Sequence, residues 1–176
     1  MKKIEILLKA ISFASRAHNG QIRKDGKTPY SSHPFRVTLI LSQVFGVKDE
    51  RILTAGVLHD VVEDTTTDYD DIEKEFGKEI ADWVGMLSKD KRMPEEEREA
   101  QYFKTLGEAP DEVKLIKLAD TLDNIIDSPN AHSAGQSTKT ITRSIQYLDL
   151  FRNSINDKTS NAFQIVERRL TEAKKR

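Results

Sequence analysis

The stretch from Ile52 to Asp64 constrains this chain more than any other, because its most apolar helix ends in a cluster of polar residues. Ile52, Leu53, Ala55, Gly56, Val57 and Leu58 leave almost no polar face, so a helix here must be buried. His59, Asp60, Glu63 and Asp64 then interrupt the apolar surface. Charged groups at that place are costly unless they are paired or bind a metal. A helix running from Asp49 towards Glu63 sets Glu63 one turn after His59 and Asp64 one turn after Asp60, each pair on one face. Taken alone, the pattern reads as a helix C-terminus with a solvated acidic cluster and one satisfied core histidine.

The rest of the chain repeats the helical period. Ile4, Leu7, Leu8, Ile11 and Ala14 give an amphipathic opening helix to about His18. Asn19 to Ser32, with Gly20, Gly26, Pro29, Arg23, Lys24 and Lys27, reads as an ordered basic loop. Pro34 suits the first turn of a helix that carries Val37, Ile40, Leu41 and Val44 inward until Gly46. Short helices are expected across Tyr69–Phe76 and Lys78–Leu87, with Gly77 between them, and Lys89 to Glu99 reads as an exposed, charged loop leading into a helix. After Pro110 a buried helix runs to Ser128-Pro129, and two more cover roughly Ser137–Asn153 and Ser160–Lys174. No alternating strand pattern and no internal repeat is present, so the fold class is all-α, a compact helical bundle forming one domain over all 176 residues.

Two further constellations embed polar residues in this apolar frame. Lys117-Leu118-Ala119-Asp120-Thr121-Leu122-Asp123-Asn124 places Asp120 and Asn124 one turn apart in a buried stripe, and Pro29-Tyr30-Ser31-Ser32-His33-Pro34 puts a histidine at a helix entrance. The chain has no cysteine, so any metal must be held by imidazole and carboxylate. His33, His59, Asp60 and Asp120 offer such a mixed N/O set, suited to manganese, iron or zinc, with room left for water on an octahedral ion. An ion so held lowers the pKa of water and polarises a phosphoryl oxygen, as hydrolysis of a phosphate ester requires. A single ion is the economical choice, since only His18 and His132 remain.

These parts in this order resemble the HD-domain hydrolases of the RelA/SpoT type, and especially their stand-alone form, the small alarmone hydrolases. The resemblance covers roughly residues 8 to 150 and rests on the stretch from His18 to Gly26, the Pro29-Tyr30 to His33-Pro34 segment, His59-Asp60 with Glu63-Asp64, and Lys117 to Asp120 with Asn124. It implies an all-helical fold and Mn²⁺-dependent release of pyrophosphate from the 3′ position of ppGpp or pppGpp. It also implies that His33, His59, Asp60 and Asp120 ligate the ion, that Glu63 and Asp64 orient and activate water, and that Asn124 supports the phosphate or ribose side. Arg23 and Lys24 match the family's substrate-binding basic pair. Arg143 and Tyr147, one helical turn apart, resemble a further binding pair, with Lys91 a weaker candidate. Where the family commonly has Arg and His in its last motif, this chain has Thr121 and Asp123.

Other functions compete with this reading. An HD phosphohydrolase on another nucleotide, including the 2′-phosphate of NADPH, would use the same metal centre, and a non-catalytic alarmone-binding module would have no need of Glu63 and Asp64. A purely structural bundle would leave three coherent motifs unexplained. The formal charge of −1 gives no overall attraction to nucleic acid or anionic membrane. No run approaches the ~20 apolar residues of a membrane span, and Glu5 and Lys9 interrupt any signal-peptide core. The expected setting is therefore the cytoplasm and the expected partner a small nucleotide. The chain ends before a nucleotide-synthesising domain could fit, so degradation of the alarmone without synthesis is the expectation.

Overall fold

Two buried helices form the centre, and the polar residues singled out above sit on one of them, at the end of the other, or on the elements packed around them. The computed structural model describes residues 2–128 and 134–174. In chain order come α1 (Lys2–Ala17), α2 (Ser32–Leu39) with a π-helical turn (Ile40–Val44), α3 (Glu50–Leu58) and α4 (Val61–Asp64). There follow α5 (Tyr69–Phe76), α6 (Lys78–Leu87), α7 (Glu95–Glu108), α8 (Asp111–Asp127), α9 (Ala134–Phe151) with a 3₁₀ turn (Arg152–Ser154), and α10 (Ser160–Ala173). Among the described residues, extended pairing is confined to one antiparallel bridge between Ile22 and Pro29, and the fold is all-α. His132 lies outside the described residues.

α3 packs against α1, α2, α6 and α8, while α8 packs against α2, α3, α6, α9 and α10. The centre is thus shared by two helices. Val57, Leu58, Ile116 and Leu118 are fully buried, and each such side chain stabilises the fold by roughly 1.5–3 kcal/mol. An unpaired polar group costs about 2–7 kcal/mol to bury, so the apolar frame can carry His59, Asp120 and their neighbours only if these find partners. α3 closely approaches α2 and the π-helical turn that follows it at Gly56, where a Cβ would lie 2.6 Å from Leu41 Cδ1 of that turn and 3.5 Å from Thr38 Oγ1 of α2.

The structure departs from the sequence reading at three places. The helix expected to run unbroken from Asp49 to Glu63 stops at Leu58, and α4 restarts at Val61 after Asp60 adopts φ −104° and ψ −5°. His59 Nδ1 lies 2.8 Å from the Gly56 carbonyl oxygen and donates to it, occupying a carbonyl at the helix end. Asp64 N still donates to Asp60 O at 2.9 Å, so the two aspartates keep one turn's separation despite the break. The helix that carries Pro34 begins at Ser32 and widens to π geometry over Ile40–Val44 before Gly46, at φ +74°. The charged segment from Lys89 is not all loop: α7 begins at Glu95, and Lys89 and Glu99 are half-buried.

The basic loop is a folded unit. Arg23 N donates to Thr28 O and Tyr30 N to Gln21 O, both at 2.8 Å, while the Asp25 carboxylate accepts from the backbone of Lys27 and Thr28 at 2.9 Å. This short hairpin leads into α2, where His33 faces Asp120 and Asp123 of α8, while the Tyr30 hydroxyl reaches Asp60 and Asp64.

Candidate metal centre

Four side chains from different places in the chain meet between α2, α3 and α8. His33 Nε2 lies 3.1 Å from Asp120 Oδ1 and 3.5 Å from Asp60 Oδ2. His59 Nε2 lies 3.1 Å from Asp60 Oδ2 and 3.9 Å from Asp120 Oδ1. Ligands about 2.1 Å from one ion are separated by roughly 3–3.4 Å, close to most of these spacings. His33, His59 and Asp60 bring one donor atom each within 4.8 Å of one another.

The donor chemistry supports a cation at this point. With Nδ1–H given to Gly56 O, the neutral His59 ring turns its Nε2 lone pair towards a carboxylate oxygen, and this buried nitrogen has no hydrogen-bond partner among the described residues. Two lone pairs facing each other repel unless a proton or a metal lies between them. Burial opposes charge on His59, but Asp60 and Asp120 outweigh it and push its pKa up to about 9. Proton and metal therefore compete for the same atom. Burial likewise works against ionised Asp60 and Asp120, yet His59 and His33 hold the first well below the usual carboxylate range, and Lys117 and His33 hold the second there.

Around this quartet the carboxylates and cations take distinct positions. The Tyr30 hydroxyl lies 2.6 Å from Asp60 Oδ2 and 3.1 Å from Asp64 Oδ2, and Lys91 Nζ reaches Asp64 Oδ1 at 2.6 Å. Glu63 Oε2 accepts from Lys89 N at 3.0 Å, and burial raises the Glu63 pKa. Asn124 donates to Asp120 Oδ1 at 2.6 Å, while Lys117 Nζ grips Asp120 Oδ2 at 2.8 Å from above the Tyr147 ring.

Two adjoining cavities open here. One of about 380 Å³ is lined by Arg23, Lys24, Tyr30, His33, Asp60, Glu63, Asp64 and Asn124 among others. The second, about 350 Å³, shares Lys24, Lys117, Asp120 and Asn124 with it and adds Lys139, Arg143 and Tyr147. The fold thus brings every site residue expected from the sequence to the quartet or to these two cavities, except the weaker candidate Lys91, which reaches only the Asp64 carboxylate, but their states differ. Arg23 is buried in an ion pair with Asp127 Oδ2 at 2.8 Å and lies over the Tyr30 ring, whereas Lys24 is exposed between the two cavities. Arg143 pairs with Glu99 Oε2 at 2.6 Å, and Tyr147 stacks on Phe103 at 5.4 Å. Lys117, Tyr30 and Asp123 had no role in the sequence reading. Lys117 and Asp123 each carried a signal, a charged residue inside the buried stripe of α8, and Asp123 also marks the departure from the family's last motif; Tyr30 carried none.

A family model described as the HD domain matches residues 10–148. The chain is 37% identical over 143 residues to guanosine-3′,5′-bis(diphosphate) 3′-pyrophosphohydrolase MESH1 of Xenopus tropicalis, covering 81% of this chain and 80% of that one. It is 41% identical over 122 residues to MESH1 of Homo sapiens, covering 69% and 68%. The solved structure of a metazoan ortholog of SpoT, described as hydrolysing ppGpp and taking part in starvation responses, superposes with a TM-score of 0.82 at 30% identity, covering 97% of this chain and 94% of that one. With the site geometry and these likenesses together, the chain belongs to the HD-domain family, on the RelA/SpoT-type branch that includes MESH1.

Proposed function

We propose that this protein hydrolyses guanosine 3′,5′-bis(diphosphate) and its pentaphosphate in the cytoplasm, using one Mn²⁺ ion and releasing the 3′-pyrophosphate to leave GDP or GTP. The observation that carries the reading is the His33, His59, Asp60 and Asp120 quartet at the base of a cleft that also holds Glu63 and exposed Lys24. The relatives named as 3′-pyrophosphohydrolases supply the substrate class.

These four residues would hold the ion, whose chemistry when bound is to lower the pKa of water and polarise a phosphoryl oxygen. Glu63 is the better placed of the two acids to take a proton, because Asp64 is tied to Tyr30 and Lys91 while Glu63 Oε1 has no partner among the described residues. Its raised pKa suits a base that must hold the proton briefly and release it. Water adds its oxygen to the phosphorus attached at the 3′ oxygen, that P–O bond breaks, and the proton lost by water balances the one gained by the leaving ribose oxygen. Lys117 and Asn124 keep Asp120 in place, and the second cavity, with Lys139 and Arg143, receives the remaining anionic part of the nucleotide.

Incubating Mn²⁺-loaded protein with ppGpp, pppGpp, NADPH and deoxynucleotides, and identifying products, tests the reading: GDP and pyrophosphate from ppGpp support it. Orthophosphate from NADPH with no turnover of ppGpp reassigns the substrate, and no product from any of them leaves a binding module.

The paired state of Arg23 moves the specificity test to its neighbour. Lys24→Ala is expected to raise KM for ppGpp on the order of tenfold at low salt, the loss of one charge-assisted hydrogen bond, with metal content unchanged. The difference should shrink as ionic strength rises, since the cation is exposed and screened. Arg23→Ala would instead leave Asp127 and Asp123 short of a buried partner, and its effect should appear largely as lost stability. Equal KM for wild type and Lys24→Ala at every salt concentration would remove Lys24 from the substrate site.

A further inference from the structure

Asp123, at the position where this sequence departs from its family's last motif, is 1% exposed and lies one turn beyond Asp120 on α8. Its Oδ2 is 2.7 Å from His33 Nδ1, while Asp120 Oδ1 is 3.1 Å from His33 Nε2. Two carboxylates from one helical face therefore grip the two nitrogens of a single buried imidazole. The other Asp123 oxygen accepts from Arg36 Nε at 2.7 Å, and Arg23 Nη2 stands 3.8 Å from the oxygen that faces His33, so Asp123 cannot rotate without losing an ion pair.

We propose that Asp123 is the positioning residue of the metal centre: by taking Nδ1–H of His33, it fixes the tautomer and ring orientation that present the Nε2 lone pair to the ion. The inference rests on the metal centre proposed above. A carboxylate on the far nitrogen of a ligating histidine also raises the basicity of the near one, and loss of such a partner typically weakens metal affinity by about 10–100-fold. The ordinary alternative is that Asp123 only clamps α2 to α8 through Arg36. That role predicts a different pattern of variants, because Arg36→Gln breaks the clamp and leaves the His33 contact intact.

The test is Mn²⁺ affinity by calorimetry for wild type, Asp123→Ala, Asp123→Asn and Arg36→Gln, with melting of each metal-free protein alongside. Asp123→Ala is expected to bind Mn²⁺ about 10–100-fold more weakly. Asp123→Asn, which keeps an acceptor oxygen without its full charge, should lose affinity severalfold, and Arg36→Gln should bind close to wild type. In Zn²⁺-loaded samples the His33 Nδ1–H resonance should persist in Arg36→Gln and shift in Asp123→Asn. Wild-type affinity in either Asp123 variant overturns the proposal, as does an equal loss in Arg36→Gln. If Asp123→Ala does not fold, the Asn variant decides alone. Wild-type protein that takes up no Mn²⁺ instead removes the metal centre itself, a failure distinct from the others.

Discussion

Replacing Glu63 by Gln is expected to leave the metal bound and lower kcat for ppGpp hydrolysis by roughly 10²–10⁴-fold, the usual worth of a positioned general base. Glu63 lines the cleft beside Asp60, yet makes no contact with His33, His59 or Asp120 among the described residues, so the amide should not disturb the quartet. Its carboxylate is held by Lys89 N through one oxygen, and a Gln oxygen can accept the same hydrogen bond. What changes is basicity. Because burial raises the Glu63 pKa, its basic form is lost on acidification earlier than that of an ordinary glutamate. Wild-type activity should therefore rise with pH through that raised value, and the small residual activity of Glu63→Gln should lack this limb. Full turnover in the variant, with metal content matched, would leave Asp64 as the remaining acid.

Asp120→Asn is expected to have the largest combined effect, losing both metal and stability. Asp120 is approached by His33, Lys117 and Asn124, and Lys117 is itself only 9% exposed between Tyr102 and Tyr147. Removing the charge leaves a buried ammonium without its counter-ion, and breaking a buried pair from one side typically costs about 3–5 kcal/mol. The double variant Lys117→Met/Asp120→Asn removes both charges, so it should recover much of the melting temperature while still failing to retain Mn²⁺. The pair of measurements separates the electrostatic and ligating roles of one carboxylate. A single variant that melts like wild type, or that still holds one ion per chain, contradicts the assignment.

The helical frame was legible because its signals are local. Tyr69–Phe76 and Lys78–Leu87 match α5 and α6 to the residue, since Asp68 caps the first and Gly77, at φ +88°, separates them. The break at His59-Asp60 was not legible, because it depends on His59 bonding back to Gly56 and on contacts from α2 and α8. Polar residues inside apolar stripes drew attention to His59, Asp60, Asp120 and Asn124, and the fold brings these together with His33. Which charges are already taken is another matter. Arg23 reads as an available cation, but its partner Asp127 is 104 residues away in sequence and becomes a neighbour only in the folded chain. Asp123 reads as a departure from a motif, and only the approach of α2 to α8 gives it His33.

Stripping the protein with a chelator and titrating Mn²⁺ back in the presence of ppGpp, while measuring bound ion and products in the same samples, tests the central claim most directly. The account expects no turnover without metal, a rate that rises to a plateau at one ion per chain, and GDP and pyrophosphate in equal amounts. Undiminished turnover after stripping, or one bound ion with no pyrophosphate released, would contradict it.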